Sequence, residues 1–400
     1  MHRNKRFVAL LMVLFESFTG IMYYDKRNNL LIRGVEYMDY NAQIKEKLGK
    51  LLFLEMNIEG FKESVGIPSY VTLNNKELYL PIDSKYISSN IKNEIKLKNI
   101  PIYCFIEGMF MAMGCDENLR FNDDYELILD YIKDTENCIK SLISKAIDKD
   151  ELLDGYLLLK GYYRYSKELD VYKKLLLVGE AIREKDSSFS EILIKDIEYA
   201  ESNLLKIPES YLYKAMILKE KGEFQAARVA LNEYFNRGGK KTEEIEILNK
   251  DINNISDYEK AIEYLEGEPE KTVEILLRLA EEFDENPLIY YYLGIAFRKL
   301  EDYNTAIYYL EQSVKRESGI LEVIVELGLN YACIGEYEKA IGLFKKAFEA
   351  SRDVEICTNI IMCYLNINDI ENAKLHLDIA KELNGDDEIV KQIESILKDK

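Results

Sequence analysis

The chain has no tryptophan, only two histidines and only six prolines in 400 residues, and each scarcity removes a class of protein. With His2 and His376 alone, a zinc site built on two imidazoles and a nucleophile activated by a histidine base both lack their usual parts. Six cysteines (Cys104, Cys115, Cys138, Cys333, Cys357 and Cys363) never form a C-x-x-C pair. They predict no disulfide framework and read as small buried hydrophobes in a reducing compartment. Positive charge is also short: 53 Lys and Arg stand against 72 Asp and Glu, a formal net charge of −19. Duplex nucleic acid is therefore not an expected partner, because phosphate binding rests on basic side chains. The expectation is of no catalytic residues, no cofactor and no metal.

What is present is a folding composition. At 48% hydrophobic residues and without a low-complexity tract, nothing reads as disordered linker. Four hundred residues exceed one ordinary core, which predicts either two domains or a domain plus a repeat array.

At the N-terminus, Arg3, Lys5 and Arg6 precede an apolar run from Phe7 to Phe15. Two readings stand for residues 7–24. As a signal or anchor they would place the chain in or across a membrane, its only expected membrane contact; as a buried or interfacial helix they leave it cytoplasmic. Glu16 interrupts the run and no small-x-small cleavage site follows, which favours the second.

Residues 1–115 read as an α/β module of unknown type. Residues 42–56 carry Ile44, Leu48, Leu51, Leu52 and Met56 at helical spacing. Tyr70–Leu73 and Leu78–Pro81 flank Asn74-Asn75, which predicts a hairpin. After Pro101 a continuous helical stripe runs through Ile102, Phe105, Ile106, Met109, Phe110 and Met113, with Gly114 as its stop. Met109, Met111, Met113 and Cys115 offer soft sulfur ligands, but on a regular helix Met111 points away from the other two, so core packing is expected. Glu107 lies one residue off the stripe, where it reads as a polar helix edge rather than a perturbed functional carboxylate.

Residues 116–153 read as connecting helices. Beyond them, Tyr290-x-x-Leu293-Gly294-x-x-Phe297 returns after 34 residues as Ile324-x-x-Leu327-Gly328-x-x-Tyr331, and Tyr303 and Ala306 return as Tyr337 and Ala340. Ala340, Phe344 and Ala347 recur after 33 as Ala373, Leu377 and Ala380. Upstream, Gly222, Phe224, Ala227 and Leu231 carry the same turn and second helix, and Tyr258, Ala261 and Leu265 fall 34 later; the frame then slips by 11 before Thr272. Whether the helix at 257–266 closes one hairpin or opens the next is left open by the spacing. Gly238-Gly239-Lys240-Lys241-Thr242 matches half of a phosphate loop, but Tyr234 occupies the place of the first glycine, so Gly238 reads as a helix stop. Ile389, Ile393 and Ile396 predict a capping helix after Gly385.

The 34-residue period and its bulky-x-x-Leu-Gly-x-x-aromatic motif resemble the tetratricopeptide repeat (TPR), clearly over 287–383 and more weakly over 154–286. The expected fold is mainly α: an α-α superhelix, a TPR-like solenoid over 154–400, behind the small N-terminal α/β module. The resemblance implies a non-enzymatic adaptor or scaffold that binds another protein or a peptide segment in a concave groove; a peptide-sensing receptor and an enzyme hidden in residues 1–115 are the alternatives. Carried over position by position, the groove would comprise Leu212, Met216 and Lys219 in one unit, Tyr291, Ile295, Arg298 and Lys299 in another, and Val325, Leu329 and Ala332 in a third. These apolar and basic positions imply a partner with apolar anchors and an acidic group. The Lys/Asn/Arg carboxylate clamp of chaperone-binding relatives is not found, which argues against a chaperone cofactor.

Overall fold

Asn74 and Asn75, read as the turn of a hairpin, instead close a loop onto a buried carboxylate. Their backbone N–H groups donate to Asp124 at 2.6 and 3.2 Å, and the Asn75 Nδ2 donates to the same side chain at 2.6 Å. Asp124 is 1% exposed, so three donors offset the loss of its hydration. In the computed structural model, which describes residues 39–90, 100–202 and 206–398, Tyr70–Leu73 is therefore not a strand. The apolar run at 7–24 lies outside the described residues. Among those residues, no helix is long and apolar enough to cross a membrane.

The described residues form two compact units, divided between Asp196 and Ile197. In the first, α1 (Tyr40–Gly49) is capped by the Asp39 carboxylate and ends before β1 (Leu51–Met56). The expected helix over 42–56 thus stops halfway. Leu51 and its neighbours pair antiparallel with β2 (Leu78–Asp83), Leu51 opposite Asp83 and Met56 opposite Leu78. The short helices α2 (Ile58–Val65) and α3 (Ser84–Asn90) flank the strands.

The core of this unit is α4 (Ile102–Cys115), with Phe105, Ile106, Met109, Phe110 and Met113 buried, although Ile102 at the start of the stripe is exposed. Glycines let it approach backbone directly. A Cβ on Gly108 would lie 2.0 Å from the Pro81 carbonyl oxygen of β2. Helices α5 (Asn122–Tyr131), α6 (Thr135–Asp148), α7 (Leu152–Ser166) and α8 (Leu169–Lys185) follow. Gly114 of α4 faces α7, where a Cβ would meet the Leu157 carbonyl oxygen at 1.9 Å, and Gly161 of α7 would meet that of Phe110 at 2.0 Å. Gly114 is thus a packing residue inside the helix rather than its stop. Phe189 closes the unit beside Tyr40 and Tyr156, and α9 (Ser190–Ser202) follows.

The second unit is a TPR-like stack of helix pairs: α10 (Pro208–Glu220) with α11 (Phe224–Asn236), α12 (Glu243–Tyr264) with α13 (Pro269–Glu282), α14 (Pro287–Lys299) with α15 (Tyr303–Arg316), α16 (Leu321–Cys333) with α17 (Tyr337–Ser351), and α18 (Val354–Asn366) with α19 (Ile370–Asn384). The phase lost by the sequence is restored by one detail. Helix α12 opens its hairpin and is 22 residues long, beginning 11 residues earlier than the homologous start. Eleven residues are about three turns at 3.6 per turn, so the extension leaves the packing face in register. Tyr258 and Ala261 belong to a first helix, and Thr272 is the small residue of the second, donating its hydroxyl to the Ala261 carbonyl at 2.7 Å.

With that register, Ala215, Ala261, Gly294, Gly328 and Ile361 take the equivalent crossing position of the five first helices, and Ala227, Thr272, Ala306, Ala340 and Ala373, all buried, take that of the second. The reason for glycine is a large neighbour one turn beyond the alanine. A Cβ on Gly294 would meet Leu310 Cγ at 2.5 Å, and one on Gly328 would meet Phe344 Cε1 at 2.6 Å. Four hairpins turn identically, through Gly222, Glu301, Gly335 and Asn368, all at positive φ. In each, the next residue's N–H bonds back across the turn at 2.9 Å, to Leu218, Phe297, Tyr331 and Tyr364 respectively. This is the bond that satisfies a carbonyl left open by the helix end. Gly238 follows α11 as expected.

His376 is 8% exposed, with Nδ1 2.9 Å from the Asn372 carbonyl and its ring 5.3 Å from that of Tyr364, so it is a packing residue. In the last helix, α20 (Glu388–Lys398), Val390, Ile393 and Leu397 face inward while Ile389 and Ile396 are exposed. The true stripe is offset by one residue at both ends.

Candidate functional site

The residue after each crossing position is apolar in all five first helices: Met216, Ile262, Ile295, Leu329 and Met362. One residue further round the helix is about 100° away from the crossing contact, on the side shared with the next first helix. Helices α14 and α16 touch directly. The result is an apolar ladder whose exposure varies by rung. Met362 is 42% exposed, Met216, Ile262 and Leu329 are half-buried, and Ile295 is 8% exposed, packed with Leu265 and Ala296.

The other expected groove residues sit on or beside this ladder but are already engaged. Tyr291 packs against Ile307, Leu310, Val323 and Leu327 on one side and against Leu265 and Ile295 on the other. Replacing it would therefore not leave the helix core intact. Val325, Leu329 and Ala332 rest against the hydrophobic cluster of the two C-terminal hairpins. Leu212 is half-buried on α10. Each basic position holds a carboxylate: Lys219 with Asp251 at 3.3 Å, Arg298 with Glu326 at 2.8 Å, and Lys299 with Glu266 at 2.8 Å. These are bridges between first helices or their ends rather than cations awaiting an acidic ligand.

Around Tyr291 the surface is aromatic. Its ring lies 5.0 Å from that of Tyr292, which lies 6.0 Å from that of Tyr258. Burial pushes the Tyr291 and Tyr292 hydroxyls above the ordinary phenol range, and the Glu322 carboxylate adds to the shift of both. Residues that sequence reading missed are Ile262, because the phase was lost there, Met362, because its hairpin lacks the glycine, and Glu322, because only the neighbouring helix makes it relevant.

The cysteines are mostly packing groups: burial pushes the Cys357 and Cys363 thiols up to about 11. Cys333 is the exception, exposed at the end of α16. In the first unit, Met109 and Met113 are buried in the core, whereas Met111 and Glu107 face a cavity of about 250 Å³ with Asp83, Lys145, Lys149 and Asp154 on its walls. Glu107 is thus not a solvated helix edge. Burial, reinforced by Asp83 and Asp154, raises its carboxyl pKa, and Lys149 and Lys145 offset part of that. A raised carboxyl contributes fully to stability when protonated, below the ordinary carboxylate range, and the contribution is lost as pH rises through its folded value. Glu107→Gln should therefore melt above wild type at pH 7.5 and level with it near pH 4. A lower melting temperature for the variant at pH 7.5 would show that the lysines outweigh burial.

No protein-family model matches the sequence, and no curated protein matches it. Among solved structures, similarity is found to YrrB, described as a TPR protein with an unusual peptide-binding site, at 19% identity and a TM-score of 0.38 over 52% of this chain and 99% of that one. A MamA protein is similar at 20% identity and a TM-score of 0.34, over 44% of this chain and 90% of that one. The APC/C hetero-tetramer Cut9-Hcn1 is similar at 13% identity and a TM-score of 0.33, over 75% of this chain and 64% of that one.

Proposed function

We propose that the chain is a non-enzymatic adaptor whose second unit grips an extended segment of another protein along the first helices of its repeats. The observation that carries this is the apolar ladder from Met216 to Met362, one side chain per repeat on one face. A row of apolar side chains, accessible at every rung but the buried Ile295, suits the spaced anchors of an extended peptide. The neutralised basic positions favour apolar anchoring over capture of an acidic group.

The test uses the two methionine rungs. Met216→Ala combined with Met362→Ala should reduce capture of a crosslinked partner and lower its affinity by roughly 1–2 kcal/mol per site. Thermal stability should fall little, because neither side chain is fully buried. Undiminished affinity in the double variant would move binding off the ladder, with the first unit the next place to look.

A further inference from the structure

The first helices of the two C-terminal hairpins contain no lysine or arginine. Helix α16 carries Glu322 and Glu326, and α18 carries Glu355. On α14 the only two bases, Arg298 and Lys299, are already paired with Glu326 and Glu266. Arg298 meets Glu326 through two donors, Nε at 2.8 Å and an amino group at 3.3 Å. Glu322, exposed in the first turn of α16, has no ion pair among the described residues. On α12, Glu259 and Glu263 add further negative charge; Lys260 is the base between them. The surface thus has an uncompensated carboxylate in the residue before Val323, whose cluster packs against Tyr291, and the Tyr291 ring lies 5.0 Å from that of Tyr292; both phenol groups sense the Glu322 charge.

Aromatic faces next to a carboxylate are a recognition site for a cation: the ring quadrupole attracts it, the carboxylate supplies the ion pair, and half-burial weakens the competition from water. We propose that Tyr291, Tyr292 and Glu322 receive a lysine or arginine side chain of a basic, extended partner segment. The inference rests on the reading that the first-helix face binds a partner, and it reverses the charge that the position-by-position resemblance implies. The segment lays apolar anchors on the ladder and directs one cation between α14 and α16. Glu355 on α18 extends the same negative strip for a second.

The experiment is fluorescence anisotropy on the full chain with two labelled probes, an alternating arginine–serine peptide and its glutamate–serine counterpart, at low and physiological salt. The arginine probe should bind and weaken with salt, and the glutamate probe should not bind. Glu322→Gln and Tyr292→Leu should each weaken the arginine probe by about fivefold or more. Glu338→Gln, on the exposed face of a second helix, should change it by less than about twofold. The proposal is overturned if Glu322→Gln behaves like Glu338→Gln, if the glutamate probe binds as tightly, or if neither probe binds. A captured partner lost in the Met216/Met362 variant but retained in Glu322→Gln would remove the cation site and leave the groove standing. One retained in both would remove the groove itself.

Discussion

Gly161→Ala should destabilise the first unit by about 3 kcal/mol or more, one of the largest losses that a single added methyl group would cause among the described residues. The added Cβ would sit 2.0 Å from the Phe110 carbonyl oxygen, and the reciprocal site, Gly114, would meet the Leu157 oxygen at 1.9 Å. Both obstacles are helix backbone, which has no rotamer to escape into. Helices α4 and α7 must separate, pulling apart the edge-to-face contact of Phe110 with Tyr162 at 5.9 Å. Gly328→Ala provides the comparison: its obstacle, the Phe344 ring at 2.6 Å, is a side chain that can turn. Urea denaturation, with hydrogen exchange assigning the loss to α4 and α7, gives the measurement. Wild-type stability for Gly161→Ala would mean that the close helix crossing is misplaced.

Ala340→Glu should unfold the C-terminal hairpins under conditions where the rest of the chain survives. Ala340 is 0% exposed and lies in the cluster with Phe344, Ala347 and Ile360. No cation reaches that position among the interactions described, so the carboxylate would be buried unpaired, at about 3–5 kcal/mol. Because repeats are stabilised mainly by their neighbours, loss of α17 removes support from α18 and α19 as well. Glu338→Lys, two residues earlier and exposed, should stay within about 0.5 kcal/mol of wild type. Hydrogen exchange across 321–384 distinguishes the two. Intact protection there in Ala340→Glu would contradict the packing described.

The helical repeats were legible because their signal is local and periodic. Gly294, Ala306, Gly328 and Ala340 recur at fixed spacing and occupy the crossing points. The strand pair was not legible in the same way. Leu51 to Met56 keeps helical spacing with the residues before it, and only its pairing with Leu78–Asp83, far away in sequence, settles its conformation. A similar non-local cause explains Asn74 and Asn75, whose turn chemistry is real but is directed at Asp124. The phase between residues 238 and 286 failed because an insertion of three whole turns preserves every local feature of a helix. At the site, the apolar positions could be read from the motif, but the state of Lys219, Arg298 and Lys299 could not. Each is decided by an acidic residue about 30 positions away that shares no motif with it.

The hairpin turns have a consequence for how the array breathes. Three of the four left-handed turn positions are filled by glycine or asparagine, the residues that adopt that conformation most readily, while the fourth, Glu301, is held at φ +61°. A glutamate there carries roughly 1 kcal/mol of backbone strain that glycine would not. The turn joins α14 to α15, so the repeat that holds Tyr291, Tyr292 and Ile295 is fastened by the least relaxed clasp of the four. Glu301 is exposed, so a change at this one position can alter how often the middle of the array opens without altering a single residue that a partner would touch.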